Sequence, residues 1–385
     1  MLRRFAFSFV GVVTVALAVS ACGSSGGSSS TISVGPNFAS QTLYATNTNQ
    51  NGVSIYPAGT ATGASPQYQI GGSNTTLAGP QYLTFDSEGD LFVSNWSASA
   101  NTGLLLEFKA TATGNVLPYN SSQLFGARVR GIAGYQTSFP GVTTKTDVMA
   151  ASLYDPTQAS GFQSQVRFYL DSVLLSYQSL GGPLTGLNVP SGIAVDKNQN
   201  LYVTNLLSPS VEVFSVPTPS PTPSPTATPT ASPTPSPTPS GATPSPTPTA
   251  APTSTPINIA PIATISGPTT GIGTPTGIAL DANGNMYVSD QASTICGGGA
   301  KCPAILIFPA GSNGAVTPSA IAGSNTNLLA PTDVKVDGKG QIYVADSTRA
   351  GAGVIYIFAA GATGNVAPIA TYASPGNVIG LALSP

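Results

Sequence analysis

The side chains of this chain that could do chemistry are few, and they recur by position. Asn47, Asn95, Asn205, Asp290 and Asp346 each close a short alternating segment such as Leu201-Tyr-Val-Thr-Asn205, and Trp96, the single tryptophan, follows one of them. Amides and carboxylates so placed either cap the loops that follow or form a polar ring facing a ligand, with Trp96 as a stacking surface for a sugar or aromatic group. Arg130, Asp333 and Lys335 belong to a second recurring segment, whose corresponding positions elsewhere hold small residues such as Gly192, Ala194, Gly277 and Ala279. Brought together around an axis, the three would make an internal ion pair or an anion site.

Asp86, Asp196, Asp281 and Asp337 open Asp-x-x-Gly or Asp-x-x-Gln turns, where a short carboxylate accepts backbone N–H groups. Calcium binding is the weaker competitor, because the dense oxygen spacing of a calcium loop is missing. The chain has no histidine, which removes the commonest general base and metal ligand. No catalytic residue, metal or cofactor is therefore expected. Cys296 and Cys302 flank Gly-Gly-Gly-Ala-Lys, and in an exported protein a disulfide pinning that loop is the expectation, two thiols alone being a poor metal site. A net charge of −2 with no basic run argues against a nucleic-acid partner.

The elements that must position these residues are strands. Pro275-Thr-Gly-Ile-Ala-Leu-Asp281 predicts one alternating strand, Met286-Tyr-Val-Ser-Asp290 a second, and Ile305-Leu-Ile-Phe308 a third. Copies begin near Pro80, Arg130, Pro190 and Pro331, the one at Arg130 being degenerate, with turns such as Ala360-Gly-Ala-Thr-Gly-Asn365 leading to fourth strands. Four antiparallel strands per copy is a propeller blade. Residues 42–56 supply strands two and three without a first, whereas Val378-Ile-Gly-Leu-Ala-Leu383 is a first strand with nothing after it. The spare strand at the end completes the first blade, which closes the ring and leaves no open edge. The expected fold is all-β, a six-bladed β-propeller over 41–385 with a repeat of about 51 residues, near the length of kelch-like blades.

Met1-Leu-Arg-Arg followed by the apolar run from Phe7 to Val19 has the layout of an export signal over 1–21. Val19-Ser-Ala-Cys22 resembles a bacterial lipobox, which implies lipidation of Cys22. An ordinary signal or single membrane helix with an incidental cysteine is the alternative, though the apolar run is short for a span. Residues 22–40 begin with a Gly/Ser run that predicts a flexible tether to the membrane. With Gly23 after the cysteine, the lipoprotein resemblance implies outer-membrane sorting in a host with two membranes.

The pattern Pro-x-Gly-Ile-Ala-Val-Asp, then Leu-Tyr-Val-x-Asp/Asn, then apolar-x-x-Phe resembles NHL repeats and extends over nearly all of 41–385. The resemblance implies the propeller and leaves the chemistry open, since NHL-like propellers include binding scaffolds, lyases and lactonases. In lactonase-like members a metal is held by axial carboxylates and amides. The matching positions here are Gln81, Arg130, Ser191, Thr276, Thr332 and Ile379, which form no metal cluster.

Residues 217–256 repeat Pro-Thr-Pro-Ser with no charge and no aromatic, a composition that favours extended polyproline II and cannot join a core. The insert falls between strands three and four of one blade, so it is a loop and not an interdomain linker. A spacer, a docking peptide, a glycosylation target and a tolerated expansion are all compatible with it. Strand direction sends the tether and this loop out of one face and leaves the opposite rim free. The expected function is a lipid-anchored, monomeric scaffold outside the cytoplasm that binds a protein or glycan. An axial hydrolase or lyase, or a spacer acting through the Pro-rich loop, are the alternatives.

Overall fold

The computed structural model describes residues 41–57, 62–139, 143–216, 255–296, 300–347 and 353–385. The expected signal peptide, lipidation site, tether and most of the Pro-rich loop lie outside the described residues.

The described chain forms six four-stranded antiparallel sheets. Blade 1 holds β1 (Leu43–Asn47), β2 (Gly52–Tyr56) and β3 (Tyr68–Gly71). Blade 2 holds β4 (Pro80–Phe85), β5 (Leu91–Ser97), β6 (Thr102–Phe108) and β7 (Asn120–Phe125). Blade 3 follows with β8 (Arg128–Ser138), β9 (Lys145–Tyr154), β10 (Ser164–Leu170) and β11 (Leu175–Gly181), and blade 4 with β12 (Pro190–Val195), β13 (Asn200–Asn205), β14 (Ser210–Ser215) and β15 (Ala263–Ile265). Blade 5 comprises β16 (Pro275–Leu280), β17 (Met286–Ser293), β18 (Cys302–Phe308) and β19 (Ser319–Ala322). Blade 6 comprises β20 (Pro331–Val336), β21 (Ile342–Ser347), β22 (Gly353–Phe358) and β23 (Ala370–Ala373), and β24 (Leu381–Leu383) ends the chain.

Closure follows the sequence pattern. β24 is the inner strand of blade 1 and pairs antiparallel with β1, Leu43 opposite Leu383 and Ala45 opposite Leu381. Six apolar clusters hold the ring, each built from residues of two neighbouring blades, as where Ile305 and Val334 share one cluster. Phe108, Phe214, Phe308 and Phe358, each near the end of a third strand, are fully buried. Burying such a ring stabilises by about 1.5–3 kcal/mol per side chain.

The Asp turns serve backbone. Asp281 Oδ1 accepts the N–H groups of Asn283 and Asn285, and Asp86, Asp196 and Asp337 repeat that geometry. Gly89, Gly284 and Gly340 take the left-handed position of these turns, and in the Asp-x-x-Gln variant Gln199 adopts it at φ 62°.

The outer edges are strapped. The segment after each third strand pairs in parallel with the fourth strand of the preceding blade, Gly114 beside Ile70, Ile257 beside Leu180, Gly314 beside Ile265 and Gly364 beside Ile321. Gly63 does the same for blade 6 by donating to the Thr371 carbonyl. Blade 3 joins its third and fourth strands by a three-residue 3-10 turn, Asp171–Val173, and supplies no such segment. Among the described residues, β7 of blade 2 therefore has no backbone partner across its outer edge.

Candidate functional site

The first strands converge on the axis, and their geometry there comes from bulges. Register shifts fall between Pro80 and Leu83, Val129 and Ile132, Pro190 and Ile193, Pro275 and Ile278, and Pro331 and Asp333. A bulge frees backbone N–H groups and re-aims side chains. Here a hydroxyl from strand two takes up the freed N–H: Ser94 Oγ accepts from Tyr82, Ser289 Oγ from Gly277, and Thr46 Oγ1 from Gly380.

Hydroxyls also stitch each blade to the next. Thr46 donates to the Gln81 carbonyl at 3.2 Å, Ser94 to Arg130 at 2.6 Å, Ser152 to Ser191, and Thr204 to Thr276 at 3.0 Å. Thr276 donates to Pro331 and Thr332 to Val378, both at 3.0 Å, and complete the circle. Blade 6 has Ala345 where blades 1 and 2 carry Thr46 and Ser94, so the hydroxyl of Thr332 on its first strand makes the link instead.

Below this belt the axis is closed. A Cβ on Gly192 would lie 2.6 Å from the Thr276 carbonyl, and one on Gly131 2.2 Å from that of Ser191. The small residues at these positions therefore permit backbone-to-backbone contact between blades. Tyr82 fills what remains: it is 5% exposed and its hydroxyl donates to the Thr332 carbonyl two blades away. Burial, with Asp333 adding to it, holds this phenol well above its ordinary range, so it stays a neutral donor.

Above the belt a cavity of about 450 Å³ opens on the face where first strands begin and second strands end. Gln81, Arg130, Ser191, Thr276, Thr332 and Ile379, the positions matched above to the metal site of lactonase-like propellers, all line it, one from each blade. Tyr82, Leu206, Leu207, Thr274 and Gln291 complete the lining. These last five lie outside the sequence expectation. Leu206, Leu207 and Gln291 follow a strand-two Asn or Asp, and only the path of the chain after that residue turns them toward the axis.

Arg130 does not meet Asp333. Lys335 Nζ reaches both carboxylate oxygens of Asp333 at 2.9 Å, and the Leu381 and Val334 N–H groups donate to the same carboxylate. Burial pushes the Asp333 carboxyl up despite Lys335. The expected three-residue cluster is thus an internal pair plus a separate guanidinium, and no ion pair among the described residues includes Arg130.

The ring of strand-two amides and carboxylates needs a correction. Asn47, Asn95, Asn205, Asp290 and Asp346 are at most 1% exposed and do not face a ligand. Asp290 accepts from Gly273, Thr274 and Ala292, Asp346 from Leu329 and Ala330, Asn95 from Ala78, and Asn205 from Asn188. In these four blades the side chain holds the loop entering its own blade. Asn47 instead donates to Ser54 and accepts from Ser374. Burial raises the carboxyls of Asp290 and Asp346, with the backbone donors opposing it. Trp96 is half-buried, its backbone N–H donating to Gly79, and the Arg128 guanidinium lies 5.6 Å from its ring centre. Cys296 and Cys302 are joined by a disulfide.

No known sequence family matches the chain, and no curated protein does. Solved structures do. The chain is a six-bladed β-propeller. It resembles a protein of unknown function from Bacteroides caccae at 9% identity, covering 90% of this chain and 99% of that one with a TM-score of 0.54. A protein from Lactobacillus plantarum matches at 9% identity over 90% of this chain and 99% of the other, with a TM-score of 0.45. The glutaminyl cyclase of Myxococcus xanthus matches at 12% identity, covering 69% and 84% of the two chains, with a TM-score of 0.36. At these identities the likeness is one of fold.

Proposed function

We propose that this propeller is an NHL-like, lipid-anchored scaffold outside the cytoplasm that binds a protein or a glycan on the face around its axial cavity. The observation that carries this reading is the sidedness of the propeller. The cavity lies where first strands begin, whereas Thr42, which precedes β1, and Val216, from which the Pro-rich loop departs after β14, lie at the opposite ends of their strands. A tether through Cys22 would then leave the cavity face pointing away from the membrane.

The donor set favours a scaffold over a lactonase-like enzyme. The cavity is lined by amides, hydroxyls, one guanidinium and apolar groups, with no carboxylate, thiol or imidazole, and such a set does not fit a divalent metal. Capture of envelope proteins and binding to glycan arrays test the reading, using the wild type, Trp96→Ala, Leu207→Glu and a chain lacking residues 217–256. Loss with Leu207→Glu and retention without the loop is the expected result. The reverse pattern would transfer the function to the Pro-rich loop. Replacing Cys22 by Ser should move the protein from the membrane to the soluble fraction, and unchanged membrane association would remove the lipid anchor.

A further inference from the structure

A charge imbalance at the axis narrows the ligand. Only 7% of residues are charged, yet the half-buried Arg130 stands in a cavity that all six blades line. Asp333 and Lys335 neutralise each other below it, so the positive charge of Arg130 is uncompensated by the described residues around it. A half-buried cation in a low-dielectric cavity is stabilised by an anion that desolvates with it. Guanidinium geometry matches a carboxylate through two parallel N–H···O bonds.

The remaining lining says what the anion is attached to. Thr276 and Thr332 spend their hydroxyl protons on the belt, Tyr82 spends its own on Thr332 and Gln81 donates to the Gly79 carbonyl, so the Arg130 guanidinium is the one charged donor of the lining. Sugars stack on aromatic faces, and the only aromatic of the cavity, Tyr82, is 5% exposed. Leu206, Leu207 and Ile379 instead present aliphatic surface, Leu207 with 67% of its surface exposed. The volume suits one or two residues of a peptide.

Resting on the reading of the cavity face as the binding face, we propose that the axial cavity captures the free C-terminus of a peptide. Arg130 takes the terminal carboxylate, and Leu206, Leu207 and Ile379 take an apolar final side chain. Capture of a terminal carboxylate is an established mode of peptide recognition.

The test titrates the full chain with N-acetylated tripeptides ending in Leu, Val or Phe as free acids, with the same peptides amidated, and with a hexuronate. The acids should bind, the amides at least about tenfold more weakly, and Arg130→Gln should remove that preference while circular dichroism and melting temperature stay unchanged; Arg130→Lys should restore part of it. Equal binding of acid and amide, or an unaltered preference in Arg130→Gln, overturns the carboxylate. If Leu207→Glu then abolishes binding of both forms, the cavity face survives as the binding face and only its ligand class falls. Hexuronate binding without peptide binding overturns the peptide. Failure of every probe on the wild type overturns the proposal as a whole, and the face itself is then decided by the capture experiment.

Discussion

Ser94 Oγ donates to the Arg130 carbonyl at 2.6 Å, so the second strand of blade 2 fixes the first strand of blade 3 at the residue that brings the guanidinium to the cavity. The same oxygen accepts the Tyr82 N–H at 2.9 Å and thereby holds the bulge that aims Tyr82 across the axis. Ser94→Ala removes both bonds in a fully buried place and should cost about 1–3 kcal/mol in urea denaturation. Ser94→Thr keeps the hydroxyl, which Thr46 and Thr204 supply at matching positions, and should cost less. Equal losses for the two variants would mean that the belt contributes little.

Asp290 accepts three backbone N–H groups while fully buried. Asp290→Leu strands those donors and should lower stability by about 2–3 kcal/mol or more. Asp290→Asn should be much milder, because blades 1, 2 and 4 carry Asn47, Asn95 and Asn205 at this position. Thermal unfolding of the two variants checks the difference.

Two glycines should tolerate alanine to different degrees. Gly192→Ala forces a methyl group against the Thr276 backbone and the Cα of Gly277, so the ring must open locally and the variant should unfold well below the wild type. Gly311→Ala meets nothing within 4 Å and bears only the strain of φ +73°, a cost of about 1–2 kcal/mol. A Gly192→Ala variant as stable as Gly311→Ala would contradict the closed axis.

Asp171 carries a pH dependence. One of its carboxylate oxygens is buried without a partner, and burial, followed by the repulsion of Asp86, Glu107, Asp147 and Asp90, pushes its carboxyl up to about 7. The folded state therefore holds a proton that the unfolded chain releases in the ordinary carboxylate range near 4, and stability contributed here falls as pH rises from about 4 to 7. Asp171→Asn should raise the melting temperature at pH 8 and change it little at pH 4.5. Melting curves that shift equally at both pH values would refute this.

The uncovered edge of blade 2 is open to exchange measurements. The N–H groups of Gly181 and Ala322 donate to strap carbonyls at 2.9 Å and 3.2 Å, whereas Gln123, at the matching position of β7, faces no strap among the described residues. Its amide should exchange with deuterium faster than theirs, by an order of magnitude or more. Comparable protection at all three sites would show that something covers β7.

Much of this was legible in the chain because its signals are local. Alternation in Leu-Tyr-Val-Thr-Asn, the Asp-x-x-Gly turns and the spare segment Val378–Leu383 state the strands, their joins and the closure of six blades, since strand period and turn chemistry depend on neighbours in sequence. The six positions from Gln81 to Ile379 came from the resemblance to lactonase-like propellers, laid onto the repeat. What a strand-end side chain faces depends instead on loops that arrive from far along the chain. Only the tertiary structure decided that Asn95 and Asp290 turn to backbone rather than to water, that Tyr82, Gly131 and Gly192 close the axis, that Arg130 stands apart from Asp333, and that the short turn of blade 3 leaves β7 uncovered. The turning-in of Asn95 and Asp290 depends on how the loop entering each blade folds back, and the other outcomes depend on what neighbouring blades place at the axis or along an outer edge, which the pattern of a single repeat does not state.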